Sequence, residues 1–190
     1  KSGAKKFFES GFLDVFIRAR KHADPDYPIT VYYAFKQSES INDGRASTGW
    51  STLLEGMINS GWMITATWPM RTENATRLIA SGTNALASSI VLVLRPRPED
   101  APIIDRRGLM RELRACLPGA VETLRSGGIA PVDLAQAAIG PGMSVFSRYS
   151  RVISPDGTDM SVSEALTQIN AVLDEVLGEQ EGDLDPDTRW

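Results

Sequence analysis

Apolar positions recur at helical spacing in some stretches of the chain and crowd together in others, and the two patterns divide it into elements. Phe7, Phe8, Phe12, Val15 and Phe16 share one helical face, so residues 4–21 are predicted to form an amphipathic helix. The turn "DPDYP" follows. Residues 29–37, "ITVYYAFKQ", are β-branched and aromatic with few polar interruptions, the composition of a strand covered on both faces. Trp50, Leu53, Leu54, Met57 and Ile58 then stand at i, i+3, i+4, i+7 and i+8, and Gly61 supplies a helix stop. "WMITATW" reads as a second strand, ended by Trp68-Pro69 because proline has no N–H to give to a ladder. After a polar loop, "LASSIVLVLRPRP" reads as a third strand that stops at two prolines.

Residues 29–94 therefore read strand, helix, strand, loop, strand. The first three make a right-handed parallel crossover, and the loop lets the third strand lie antiparallel to the second. From Ile104 the pattern turns helical. "IDRRGLMRELRACL" is one helix, Pro118 opens another that ends at Gly127-Gly128, and a short one starts at Pro131. Ser161 and Glu164 form a capping box before a stripe of Val162, Leu166, Ile169, Leu173 and Val176. The expected organisation is an α/β part over 1–100 and a helical region over 101–190, divided within "RPRPEDAPII".

Composition narrows the function classes. With 190 residues and 42% hydrophobic content, the chain can bury one good core or two small ones. A net charge of -4 argues against a uniformly basic nucleic-acid binder and leaves room for a local basic face. Cys116 and His22 are the only cysteine and histidine, which excludes a disulfide framework and any ordinary Cys/His zinc site. No metal site is expected. There is no apolar run of membrane-spanning length and no signal-peptide pattern, so a cytoplasmic location is the expectation. A start at Lys1 and an end at "DPDTRW" suggest a piece of a longer protein.

Candidate chemistry gathers at the strand ends. Open α/β sheets bind ligands beyond the carboxyl ends of their parallel strands, which places Lys36, Gln37, Trp68 and Arg71 on one rim, with Glu73 in the same loop. An indole beside donors and acceptors suits a base turned out of a duplex. The other reading makes Trp68 a cap on the core and its polar neighbours ties for a loop. Farther along, Gly140 and Gly142 lack the lysine of a phosphate-binding loop. Arg148, Tyr149 and Arg151 could hold a nucleic-acid backbone and stack a base, or be a solvated face.

Several strings together resemble one family. "ITVYYAFKQSE", "GWSTLLEGMINSGWMITATWPMRTEN", "GTNALASSIVLVLRPRP", "APVDLAQAAIGPGMSVFSRYSRV" and "EQEGDLDPDTRW" are similar to the C-terminal part of large bacterial and archaeal adenine-specific DNA methylases, which carry an N-terminal domain of unknown function and a zinc ribbon. The resemblance implies a Rossmann-like, S-adenosylmethionine-dependent catalytic domain. Residues 29–35, 62–67 and 88–94 would be its fifth, sixth and seventh strands, the last antiparallel. Trp68 to Asn74 would then face the target-base side of the cleft. The glycine-rich cofactor motif, the zinc-ribbon cysteines and the catalytic Asp-Pro-Pro-Tyr loop lie upstream of Lys1 in such proteins. Asp24-Pro25-Asp26-Tyr27 differs from the last by one residue, but it precedes a strand where the motif follows one, so it is read as a turn.

No catalytic or cofactor-binding residue is therefore carried over, and this chain alone is expected neither to methylate nor to bind S-adenosylmethionine. The implied activity of the longer protein is methyl transfer to an exocyclic amino group of DNA, adenine N6 before cytosine N4, within a restriction-modification setting. Implied partners are DNA and the rest of the methylase chain, and the unpaired edge of strand 29–35 is expected either to pair with a second copy or to be covered by residues 4–21. The alternative is a non-catalytic module that binds DNA or a partner protein in a defence or modification system.

Overall fold

A computed structural model describes residues 2–34, 48–70, 89–128 and 131–182. Among them are five helices and two small sheets, an α/β arrangement. Helix α1 (Ser2–His22) leads through a turn to strand β1 (Ile29–Ala34). In that turn the Tyr27 N–H reaches the Asp24 carbonyl and the Asp24 carboxylate accepts from the Asp26 N–H, as expected of "DPDYP". Helix α2 (Thr48–Asn59) buries Trp50, Leu53, Leu54, Met57 and Ile58, the stripe read from the sequence. Gly61, at φ +83, makes the sharp turn into β2 (Trp62–Met70).

Strand β3 (Ser89–Pro96) lies between β1 and β2 and runs antiparallel to both. β1 and β2 thus share a direction, as a crossover through α2 requires, but they are not neighbours. Two sequence expectations change here. β1 is an edge strand with Thr30 and Tyr32 exposed, rather than a strand covered on both faces. β2 continues through Pro69 to Met70, because an edge strand has one side free of ladder bonds and tolerates a missing donor there.

A bulge at Thr65 decides what β2 presents. Ile64 pairs with Leu94 but Ala66 pairs with Val93, so one extra residue enters the strand and every later side chain changes face. Trp62 and Ile64 point to the core with Leu94, whereas after the bulge Thr67 takes the core side and Ala66 and Trp68 the other. Strict alternation would have put Trp68 beside Trp62.

The segment after β3 contains more than helices. β4 (Ile103–Asp105) and β5 (Arg151–Ile153) form a parallel pair. Asp105 caps α3 (Arg106–Ser126) by accepting from the Gly108 N–H at 2.8 Å. α3 runs unbroken through Pro118, where two helices were expected. Leu109, Leu113, Leu117 and Val121 make one buried seam across that position, while Pro118 itself is exposed, so packing overrides the lost backbone bond.

Helix α4 (Pro131–Ser147) likewise runs on through Gly140-Pro141-Gly142, where a short helix from Pro131 was expected. A Cβ on Gly140 would overlap Thr67, and one on Gly142 would meet Ile169 Cγ2 at 2.5 Å, so both glycines allow close approach. Pro141 cannot bond the carbonyl of Ala137, four residues back. That carbonyl accepts instead from the Thr67 hydroxyl at 3.4 Å. The last helix, α5 (Val162–Gly182), opens with the expected capping box. Glu164 Oε2 accepts from the Ser161 N–H at 2.7 Å, and Ser161 Oγ from the Glu164 N–H at 3.2 Å.

One buried cluster joins these parts, with Trp62, Ile64, Leu92 and Leu94 of the sheet in the same core as Leu113, Met143 and Ile169. Arg97 ties it at one end. Its guanidinium donates to the carbonyls of Ile58, Ser147 and Tyr149, which lie at the carboxyl ends of α2 and α4, where a cation complements both helix dipoles. Burial lowers its pKa from the usual arginine value.

Candidate functional site

The sheet register brings the ends of its strands together. Ser89 pairs with Ala34 on one side and Met70 on the other, so the carboxyl ends of β1 and β2 flank the start of β3. This is the rim expected from the sequence. Of the residues assigned to it, Lys36, Gln37, Arg71 and Glu73 lie outside the described residues. Trp68 is described. It stands on the outer face of β2, two residues short of the rim, with 54% of its surface exposed, and so it does not cap the core.

Trp68 belongs to a row that sequence reading missed. Val91 pairs with Trp68 across one ladder and with Tyr32 across the other, so two aromatic side chains flank a β-branched one on the same face. Tyr32 is 66% exposed and Val91 between them only 6%. Met70, also exposed, extends the surface toward the rim. α2 and α4 cover the opposite face: Trp50 of α2 packs at a tilt against Tyr33, and Gly140 of α4 sits on Thr67. A signal for the row was present in the sequence, since "IVLVL" in β3 has apolar residues at every position where a sheet with one solvated face would alternate.

The second predicted cluster sits elsewhere. Arg148, Tyr149 and Arg151 follow the end of α4, beside Arg97 just past the far end of β3. Eight strand residues separate that end from the rim, roughly 23 Å at the usual rise, so the structure does not bring the two clusters together. Each side chain is also engaged within the chain. The Tyr149 hydroxyl donates to the Glu112 carboxylate, which Arg148 approaches at 3.7 Å. Arg151 pairs with Asp159 at 2.7 Å. Burial first, then the hydrogen bond and charge of Glu112, push the Tyr149 phenol up to about 12. A half-buried phenol held in this way is poorly placed to stack on a base.

Gly140 and Gly142 do not fit a cofactor cradle either, because Thr67 and Ile169 fill the space over their Cα atoms. Among the described residues no group of three or more His, Cys, Asp or Glu could hold a metal ion, and no helix is long and apolar enough to cross a membrane. No family model matches the chain, and neither a curated protein nor a solved structure does so.

Proposed function

We propose that the chain is the C-terminal part of an S-adenosylmethionine-dependent DNA methyltransferase that acts on an exocyclic amino group, adenine N6 in preference to cytosine N4. The observation that carries this reading is the sheet. β1 and β2 run the same way, linked by α2, and β3 runs against both, which are the directions the resemblance implies for the last three strands of a Rossmann-like methyltransferase domain. The fold analogy lends weight to the reading without assigning any residue.

In this reading the methyl donor is held by upstream segments, since Gly140 and Gly142 are occupied by packing. What the chain contributes is the wall of the target-base side. Trp68 offers an indole face to a base drawn out of the duplex, and Lys36, Gln37, Arg71 and Glu73 supply polar groups beyond the strand ends. Stacking on an aromatic side chain is worth about 1–3 kcal/mol, so Trp68→Ala in the full-length methylase should slow single-turnover methyl transfer roughly 5- to 150-fold. Unchanged transfer by the folded variant would remove Trp68 from the reading.

The row of exposed Tyr32 and Trp68 about buried Val91 also suits a second reading, a non-catalytic module that binds DNA or a partner protein. The coding sequence upstream of Lys1 separates the two. An in-frame Asp-Pro-Pro-Tyr after a glycine-rich strand-to-turn motif is the result expected for the methylase, and a start codon immediately before Lys1 is the result expected for the module.

A further inference from the structure

Past the far end of β3 the surface opens into a pocket of about 460 Å³, walled by the last turn of α1, the turn at Gly61 between α2 and β2, and residues 97–99. The chain leaves the described part of the sheet at Ala34, Met70 and Ser89, all on the rim at the opposite end. The pocket is therefore built from described residues throughout. Three cations line it, Arg20, Lys21 and Arg97, in a chain whose net charge is -4. Arg20 donates through Nε and Nη2 to the carbonyls of Gly61 and Arg97, at 3.3 and 3.2 Å. Arg97 gives its two Nη atoms to the helix-end carbonyls of α2 and α4 and to Tyr149. Nη1 of Arg20, Nε of Arg97 and the whole ammonium of Lys21 are left without an acceptor among the described residues. A place in the last turn of α1 lets Arg20 and Lys21 complement that helix's dipole. It does not explain a guanidinium that reaches across to Gly61 and Arg97. Glu99 is the one acid in the lining, and it makes no ion pair with the three cations. Three cations against one carboxylate leave an excess of two positive charges.

We propose that this pocket binds a small phosphomonoester. Such a group carries about two negative charges at neutral pH and three terminal oxygens, which answers both the excess of charge and donors that approach from two sides. Guanidinium forks suit phosphate oxygens, and the lysine adds a compact point charge. A carboxylate or a backbone phosphodiester brings a single charge and leaves half of the excess unanswered. The pocket also has room for the rest of the molecule, since small-ligand cavities run from roughly 300 to 1,000 Å³. Ile17 and Pro98 give that part of the ligand an apolar wall. Pocket and rim lie at opposite ends of β3, so the inference stands apart from the methyl-transfer reading and survives its failure.

The test titrates inorganic phosphate, and separately adenosine monophosphate, into the whole 190-residue chain through the millimolar range. Sodium chloride holds the ionic strength constant, and amide NMR shifts report binding. Saturable shifts centred on Ser60, Gly61 and Arg97 are expected, with the nucleotide binding at least as tightly as phosphate. Lys21→Gln removes an exposed ammonium that makes no hydrogen bond or ion pair among the described residues, and should weaken binding about three- to tenfold. Glu99→Gln removes the opposing charge and should tighten binding, a change of sign that a purely structural role for these residues does not produce. Shifts that follow ionic strength alone overturn the proposal. So do saturable shifts centred on Arg107 and Arg111, two exposed arginines of α3, or a Glu99→Gln variant that binds no better. Binding of a short DNA duplex with no response to free phosphate overturns it as well.

Discussion

Trp62 and Trp68 stand six residues apart on one strand, the same residue type with the same backbone conformation, and they lead opposite lives. Trp62 is fully buried, and its indole N–H donates to the Phe16 carbonyl at 3.0 Å, joining β2 to α1. Trp68 lies on the open face beside Val91. One inserted residue, Thr65, separates the two fates. The comparison teaches that the covered face of this sheet holds the molecule together, and that the open face is left for contacts that folding does not require.

Several substitutions sharpen or break that contrast. Trp62→Ala should have the largest effect, about 3–5 kcal/mol of unfolding free energy in urea, from the lost ring and the orphaned Phe16 carbonyl. A loss under about 1 kcal/mol would mean that β2 is not anchored to α1 through this side chain.

Gly140→Ala comes next, at roughly 1–3 kcal/mol, because the new methyl meets Thr67 on the covered face. Adding Thr67→Ala should recover part of that loss, and a double-mutant cycle with no coupling would contradict the close approach of α4 to β2.

Tyr149→Phe should cost about 1–2 kcal/mol at neutral pH, since Glu112 loses its donor. The pH dependence gives the sign. The folded pKa of Tyr149 lies above the unfolded value of about 10, so its contribution is complete below that pH and is lost as pH rises toward about 12. Urea melts of the wild type and the Phe variant should therefore converge in alkali, and parallel curves would show that the phenol titrates normally.

Trp68→Ala should have the smallest effect on stability, under about 1 kcal/mol, the scale of one exposed cross-strand pair. A cost near that of Trp62→Ala would erase the contrast between the two faces.

What the sequence revealed follows from the range of the interaction concerned. The stripes of α2 and α5 and the Ser161–Glu164 box depend on residues one to four positions apart, and each was readable. The bulge was not. It exists only in the register between β2 and a strand some thirty residues away, and "ITATW" alternates normally when viewed alone. Gly140-Pro141-Gly142 reads as a loop to any local rule, and only Thr67 and Ile169 explain why a helix tolerates it. The position of the rim was inferable from the strand directions. The partners of Tyr149 and Arg148 were not, because Glu112 is 37 positions from the tyrosine and belongs to α3.

Arg97 carries a consequence for how such a chain can be inherited. Its guanidinium holds a carbonyl from residue 58 and two from the stretch 147–149, so the lock between sheet and helices is made of main-chain atoms from both sides of position 100. A recombination event that moved residues 101–182 into another gene would deliver helix ends with unanswered carbonyls and a core lacking one wall. Selection can shuffle only what folds when separated, and this arginine makes the two parts a single heritable unit.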